Sequence, residues 1–228
     1  MMKAMESLCK DNIKVVILGA TGLIGNALTK QLLESDQISQ VLTIGRRAPD
    51  LTHPKLKNII LDMERIDEKG EVMEGAHAVF CCLGTTMRQA GSKQSFRKVD
   101  FDIPLLAAKA AKVRGVKHFL VVSAQGASTK SSFFYSRVKG EMEDVLRQIP
   151  FHRLTIARPG LLLGRKTGDR PMEDMAGWLM RGLKPLWRGP LEKYSAVDAN
   201  SVAQALALSF FGESVDVQGL ELIELNAN

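Results

Sequence analysis

The run Gly19 to Gly25, GATGLIG, constrains this chain more than any other stretch. It follows Lys14 to Leu18, which is apolar and β-branched, and leads into Leu23, Ile24, Ala27, Leu28, Leu32 and Leu33, which recur at helical spacing. The pattern is a strand, a tight turn and a helix. In such a turn Gly19 takes backbone angles closed to other residues, Gly22 lets a pyrophosphate approach the backbone, and Gly25 lets the helix pack against the sheet. The unpaired N–H groups of the helix's first turn then face the phosphates. Glycines at the first, fourth and seventh places match a GxxGxxG form of the dinucleotide fingerprint. An ordinary strand-to-helix turn is the competing reading, and the next strand weighs against it.

That strand, Gln40 to Ile44, runs into Gly45, Arg46 and Arg47. About 20 residues beyond the glycine loop, a dinucleotide site meets the adenosine ribose with an acidic residue for NAD or an arginine for a 2′-phosphate. Here two arginines stand at that place. A guanidinium pairs bidentately with phosphate and stacks on adenine, so Arg46 and Arg47 predict NADP(H), against the alternative of two solvated loop residues.

Leu56 to Leu61 reads as a third strand ending at Asp62, which serves either as an acceptor for the adenine amino group or as a turn residue. Ala76 to Leu83 reads as a fourth, apolar enough for both faces to be covered, and it delivers Gly84, Thr85 and Thr86 to the edge where open α/β sheets bind ligands. A long helical region from about Ser92 to Arg114 is predicted to break near Asp102 and restart at Pro104. Val116 to Val122 is the fifth strand and ends at Ser123. Strands alternating with helices at this spacing predict an α/β chain with a doubly wound, parallel, Rossmann-type sheet.

The helix beginning near Phe133 carries Tyr135 and Lys139. Positions i and i+4 share a helix face, so phenol and ammonium point into one site. A nearby cation favours phenolate, which predicts a Tyr135 shifted down towards working pH. Such a group exchanges a proton with a substrate oxygen while a nicotinamide exchanges hydride with the carbon. Ser123, at the neighbouring strand end, is placed to hold the same oxygen by a hydrogen bond.

Composition limits the alternatives. A chain of 228 residues, 45% hydrophobic and 25% charged, is read as a single domain over 1–228 with ordinary globular composition. The start, MMKAMESLCKDNIK, lacks the apolar core of a signal peptide, and no stretch approaches the roughly 20 apolar residues that span a bilayer. Cys81 and Cys82 are adjacent and Cys9 stands near the terminus, so no disulfide framework is expected and a cytoplasmic setting follows. His53, His77, His118 and His152 show no metal-ligand spacing. The net charge of +6 is spread along the chain without aromatic interleaving, which argues against a nucleic-acid partner. No Gly-Lys-Ser/Thr follows the glycine loop, and Ser123 is not in a G-x-S-x-G elbow, so phosphate chemistry and serine hydrolysis are set aside.

With these residues in place, the chain resembles the short-chain dehydrogenase/reductases, in their extended and atypical branches. GATGLIG, the Ser123/Tyr135/Lys139 set and ARPG at Ala157 to Gly160 carry the likeness. FCCLGTT, KHFLVVSAQGA, KSSFFYSRVKGE and ARPGLLLG narrow it to the Tat-interacting-protein oxidoreductases, from Ile13 to about Leu225. The resemblance implies that Gly19, Thr21, Gly22, Leu23 and Ile24 line the pyrophosphate, and that Arg46 and Arg47 meet the 2′-phosphate. It implies further that Leu83 and Gly84 border the adenosine side, and that Lys139 holds the nicotinamide ribose. Tyr135 is then the acid/base, and Pro159, Gly160 and Leu161 flank the carboxamide. The chain departs from the commoner branch at two places. Cys82-Leu83-Gly84-Thr85 stands where that branch has Asn-Asn-Ala-Gly, and Asp100 stands near its relay asparagine.

The stretch 164–194 changes character, combining Trp178, Trp187, Met172, Met175 and Met180 with Arg165, Lys166, Arg170 and Arg181. It is read either as a short substrate-covering segment with a basic mouth, suited to an apolar or acidic small molecule, or as a surface helix packed on the sheet. Val197 to Phe211 is predicted as a helix and Gln218 to Leu225 as a last strand. The expected function is NADP(H)-dependent oxidation or reduction of a carbonyl or alcohol. The alternative is an NADPH-binding regulatory protein that signals through a protein partner, and a nucleotide-sugar or isomerase-type reaction is a third reading.

Overall fold

The computed structural model describes residues 12–163 and 195–226. Strand β1, Ile13–Leu18, has Val15 through Leu18 at 0% exposure. Both of its faces are covered, which is why it reads as an unbroken apolar run. On one side of it lie β2 (Ile38–Gly45) and β3 (Leu56–Ile60), and on the other β4 (Ala78–Cys81), β5 (His118–Val122) and β6 (Arg153–Pro159), all parallel. Two short strands, β7 (Leu161–Leu163) and β8 (Ala196–Asp198), pair in a separate parallel sheet. The large sheet closes with β9 (Leu220–Asn226), antiparallel to β6. Its order, β3-β2-β1-β4-β5-β6-β9, reverses direction between β1 and β4, which opens a crevice above their carboxyl ends.

Among the described residues six α-helical segments flank these strands: α1 (Leu23–Glu34), α2 (Met87–Ala90), α3 (Lys93–Arg97), α4 (Ile103–Val113), α5 (Phe134–Arg147) and α6 (Ala199–Phe211). Alternate residues of β1 serve opposite faces of the sheet. Val15 and Ile17 pack with Leu28 and Leu32 of α1 and Ala203 and Leu206 of α6. Val16 and Leu18 join the cluster of Ala107 and Ala111 from α4 and Met142 and Leu146 from α5. Each leucine so buried contributes about 1.5–3 kcal/mol.

The helical region is interrupted near Asp102, as the sequence predicts, but by a shift of hydrogen-bond register rather than a break. Between α3 and α4, Lys98–Asp102 form a π-helical turn, and the Ile103 N–H bonds to the Lys98 carbonyl. Pro104 then sits in the first turn of α4, where its missing N–H is tolerated. The predicted strand at Ala76 to Leu83 contracts to Ala78–Cys81. The predicted helix from Val197 starts at Ala199, because Asp198 caps it through the N–H groups of Asn200 and Ser201. Cys81 is buried and Cys82 half-buried, and both are free thiols. No helix among the described residues is long and apolar enough to cross a membrane. Both readings of the stretch 164–194, and Cys9, lie outside the described residues.

Candidate active site

The glycine loop closes the gap between β1 and α1. Gly19 has φ +83°, and a Cβ there would stand 2.6 Å from the Cys82 carbonyl oxygen, so only glycine fits. A Cβ on Gly25 would stand 2.2 Å from the Gly19 oxygen. The N-cap of α1 is Gly22, no side chain caps the helix, and its first turn holds no acidic residue. Thr21, Gly22 and Leu23 are exposed there, whereas the Ile24 side chain is in the core and only its backbone faces the loop. An uncapped N-terminus of this kind favours an anion.

Beside the loop is a cavity lined by Gly19, Ala20, Thr21, Thr43 to Arg47, Met63 and Leu83. Arg46 and Arg47 are exposed at its rim. Its floor is held by β2 and β3, where the Thr43 hydroxyl meets Asn58 Oδ1 at 2.5 Å. Asp62 Oδ1 accepts the Glu64 N–H at 3.2 Å, the turn role left open by its sequence, and its neighbour Met63 lines the cavity. Gly84 lies across from Asp100: a Cβ added to it would be 3.5 Å from Asp100 Oδ1.

Ser123 directly follows β5 at 3% exposure, with its N–H on the Ala157 carbonyl at 2.7 Å. Tyr135 and Lys139 share one face of α5. Lys139 Nζ lies 2.8 Å from Asp100 Oδ1 and donates to the Val122 carbonyl at 3.3 Å. Asp100 Oδ2 accepts the Thr85 N–H at 2.9 Å. Tyr135 is partly buried, with its ring 5.6 Å from that of Phe96. The predicted downward shift of its phenol is corrected by these surroundings. Burial pushes the phenol up most strongly, Lys139 pulls it down, and Asp100 pushes it up again, so the net direction is upward. Burial alone would lower Lys139, but the charge and hydrogen bond of Asp100, helped by Tyr135 and Cys81, raise it.

A second network lies behind Ser123. Its hydroxyl donates to Glu143 Oε1 at 2.5 Å, and Glu143 is fully buried. Arg158 donates to both carboxylate oxygens, at 2.9 and 2.6 Å, and Arg147 donates to Oε2 at 3.0 Å. The reading of Ser123 as a second donor to the substrate oxygen meets this bond, because its one proton is already placed. A Cβ on Gly140 would stand 2.4 Å from the Ser128 carbonyl carbon, so the loop after Ser123 lies directly on α5. That loop is fixed further by the Gln125 N–H on the Pro159 carbonyl at 2.9 Å. The Gly160 N–H bonds to the Gly219 carbonyl at 2.7 Å, and Leu161 begins β7 beside Ala196. Sequence reasoning did not single out Glu143, Gly140 or Arg158 and gave Asp100 no contact. The signal for Glu143 was the 135/139/143 spacing along one helix face.

Residues 19–178 match the model of a family described as NAD(P)H-binding. Protein HTATIP2 of Rattus norvegicus is 38% identical over 190 residues, covering 82% of this chain and 78% of that protein. The mitochondrial protein FMP52 of Candida albicans is 35% identical over 193 residues, covering 82% of this chain and 84% of that protein. The structure of the oxidoreductase ylbE from Lactococcus lactis has a TM-score of 0.63 over 94% of this chain and 91% of that one. At 18% identity that likeness is one of fold. The family model, which covers most of the chain, and these relatives make the chain a member of the NAD(P)H-binding family, with HTATIP2 and FMP52 among its relatives.

Proposed function

We propose that this chain, as one NAD(P)-binding domain over 1–228, is an NADP(H)-dependent oxidoreductase acting on a carbonyl or alcohol. The observation that carries the reading is the pairing of Tyr135 and Lys139 on α5 beside Ser123, with the crevice above β1 and β4 leading to an uncapped helix N-terminus. The backbone of Gly19 to Gly25 receives the pyrophosphate, through Thr21, Gly22, Leu23 and Ile24. Arg46 and Arg47 pair with the 2′-phosphate. Leu83, Gly84 and Asp62 border the adenosine, and Pro159, Gly160 and Leu161 the carboxamide end.

The hydride for a carbonyl carbon would come from NADPH held by these residues. Tyr135 gives its proton to the oxygen that receives the electron pair of the opening C=O bond, and the phenolate regains a proton from solvent. Lys139 keeps a donor for the ribose after bonding Asp100 and Val122. Ser123, with its proton on Glu143, shapes the pocket through its lone pairs. The free thiols of Cys81 and Cys82 fit a reducing compartment.

A screen of carbonyl compounds with NADPH, run on wild type and Tyr135→Phe, tests this. The expected loss in kcat is about 100-fold or more, the usual contribution of an acid/base group. An unchanged rate on a genuine substrate refutes the mechanism. NADPH binding with no turnover, and a partner whose affinity changes with NADPH, would favour the regulatory reading instead.

A further inference from the structure

Asp100 meets Lys139 directly. The two side chains are 1% and 3% exposed, and Lys139 Nζ is 2.8 Å from Asp100 Oδ1. The second carboxylate oxygen is occupied by the Thr85 N–H at 2.9 Å, so the group cannot swing away without leaving that donor unpaired. Asp100 projects from the π-helical turn Lys98–Asp102, where the regular helical ladder is interrupted.

An amide oxygen at this position would accept the same hydrogen bond from Lys139. It would leave a full positive charge buried beside Tyr135, whereas a carboxylate cancels that charge. Among the described residues, the charged groups that act on the Tyr135 ring are Lys139, from its own helix, and Asp100, from the π-helical turn. Phe96 covers the ring from α3. Cys81, from β4, bears on Lys139, and burial pushes its thiol up to about 11, so it stays neutral. Glu143, two turns further along α5 than Tyr135, is held by Arg158 and Arg147.

Resting on the oxidoreductase reading above, we infer that Asp100 is a positioning residue that holds Lys139 and cancels its charge. Tyr135 then enters the reaction as a proton donor, and the site is set for carbonyl reduction at neutral pH. In that direction the carbonyl carbon gains the hydride and its two electrons from NADPH, which leaves as NADP⁺. The π pair moves to oxygen, the Tyr135 O–H bond breaks, its proton goes to that oxygen, and solvent restores the phenol. Alcohol oxidation must start from the phenolate, which this arrangement withholds until alkaline pH. The upward push on Tyr135 from burial and from Asp100 agrees with this.

The chain contains two tyrosines, Tyr135 and Tyr194, so the tyrosinate absorbance of wild type minus that of Tyr135→Phe isolates Tyr135. The titration uses the cofactor-free protein. Wild type is expected to show no Tyr135 tyrosinate below pH 9, and Asp100→Asn is expected to move its appearance down by about one pH unit or more. Tyrosinate from Tyr135 at pH 8 in wild type, or no movement in Asp100→Asn, overturns the inference. Where Asp100→Asn does not fold, the double variant Asp100→Asn/Lys139→Met replaces the pair with neutral groups. Tyr135 is then expected to titrate as in wild type, and a clear rise would mean that Lys139 was never cancelled. With a substrate in hand, reduction by Asp100→Asn is expected to decline from a lower pH than wild type. A chain that reduces no carbonyl while Tyr135 titrates as expected loses the reaction but not this role of Asp100. A failed titration alongside good turnover loses only the role.

Discussion

The Ser123 hydroxyl donates to Glu143 Oε1 at 2.5 Å, and Glu143 is fully buried. A hydroxyl has one proton, so with that proton on Glu143, Ser123 has only lone pairs left for any other partner. The same carboxylate takes both nitrogens of Arg158 on β6 and the guanidinium of Arg147 on α5. One side chain thereby ties the end of β5, helix α5 and the strand that leads into Pro159 and Gly160.

Glu143→Gln keeps an acceptor for Ser123 but leaves Arg158 without its buried counter-charge. Arg158 keeps its ion pair with the exposed Glu221, so the loss is expected to fall below the about 3–5 kcal/mol of a fully buried broken pair, and chemical denaturation will read it. The coupling to Ser123 is measured by a double-mutant cycle of Ser123→Ala with Glu143→Ala, which removes the acceptor. Non-additivity of about 1 kcal/mol or more is expected for a hydrogen bond to a charged group, and additive effects would mean that the bond does not matter.

Gly140→Ala drives a methyl group into the backbone at Ser128 and Thr129, at 2.4 and 2.5 Å. Backbone cannot rotate out of the way as a long side chain can. The expected destabilisation is about 1–3 kcal/mol, with kcat reduced more than NADPH affinity, because the displaced loop begins at Ser123 rather than at the glycine turn. An equilibrium stability equal to wild type would contradict the packing described for α5.

His118 gives the protein an acid-sensitive core. It is 6% exposed, and its Nε2 is 2.9 Å from the Thr155 hydroxyl, in a chain that continues through Ser209 to Glu224 and Arg153. Burial first, then the Arg153 charge, pushes the imidazole down to about 3. The unfolded chain therefore binds a proton at His118 that the folded chain refuses between about pH 6.5 and about 3. Stability from this group is complete above that window and falls with pH inside it, by about 1.4 kcal/mol per unit at most. His118→Gln should flatten the acid limb of a stability curve between pH 6.5 and 4.5, above the range where the lowered Glu224 adds its own loss. An unchanged slope would show that His118 is already protonated in the fold.

What was legible in the sequence was local. The glycine turn, the apolar strands and the Tyr135/Lys139 spacing each depend on neighbours within a few residues, and all appear where the sequence predicts them. Asp100 and Lys139 are brought together only when the π-helical turn packs on α5, and Ser123 finds Glu143 only when β5 lies beside that helix. The π-helical turn itself is a shift in hydrogen-bond register, which the apolar pattern of KVDFDIPLL does not encode. The antiparallel direction of β9 was equally hidden, since alternation of side chains looks the same in either direction. The Tyr135 shift was misjudged because a lysine's influence depends on what cancels it, and the cancelling residue lies in another segment.

In the proposed function NADP(H) occupies the glycine loop with its 2′-phosphate on Arg46 and Arg47. A side-by-side titration with NADPH and NADH, following ligand fluorescence on wild type and Arg46→Ala/Arg47→Ala, tests it most directly. NADPH is expected to bind wild type at least about tenfold more tightly than NADH. The double variant is expected to lose about 10- to 100-fold of the NADPH affinity, as removal of charge-assisted bonds implies, while NADH binding stays nearly the same. Equal affinity for the two nucleotides, or an NADPH affinity untouched by the double substitution, would contradict the account.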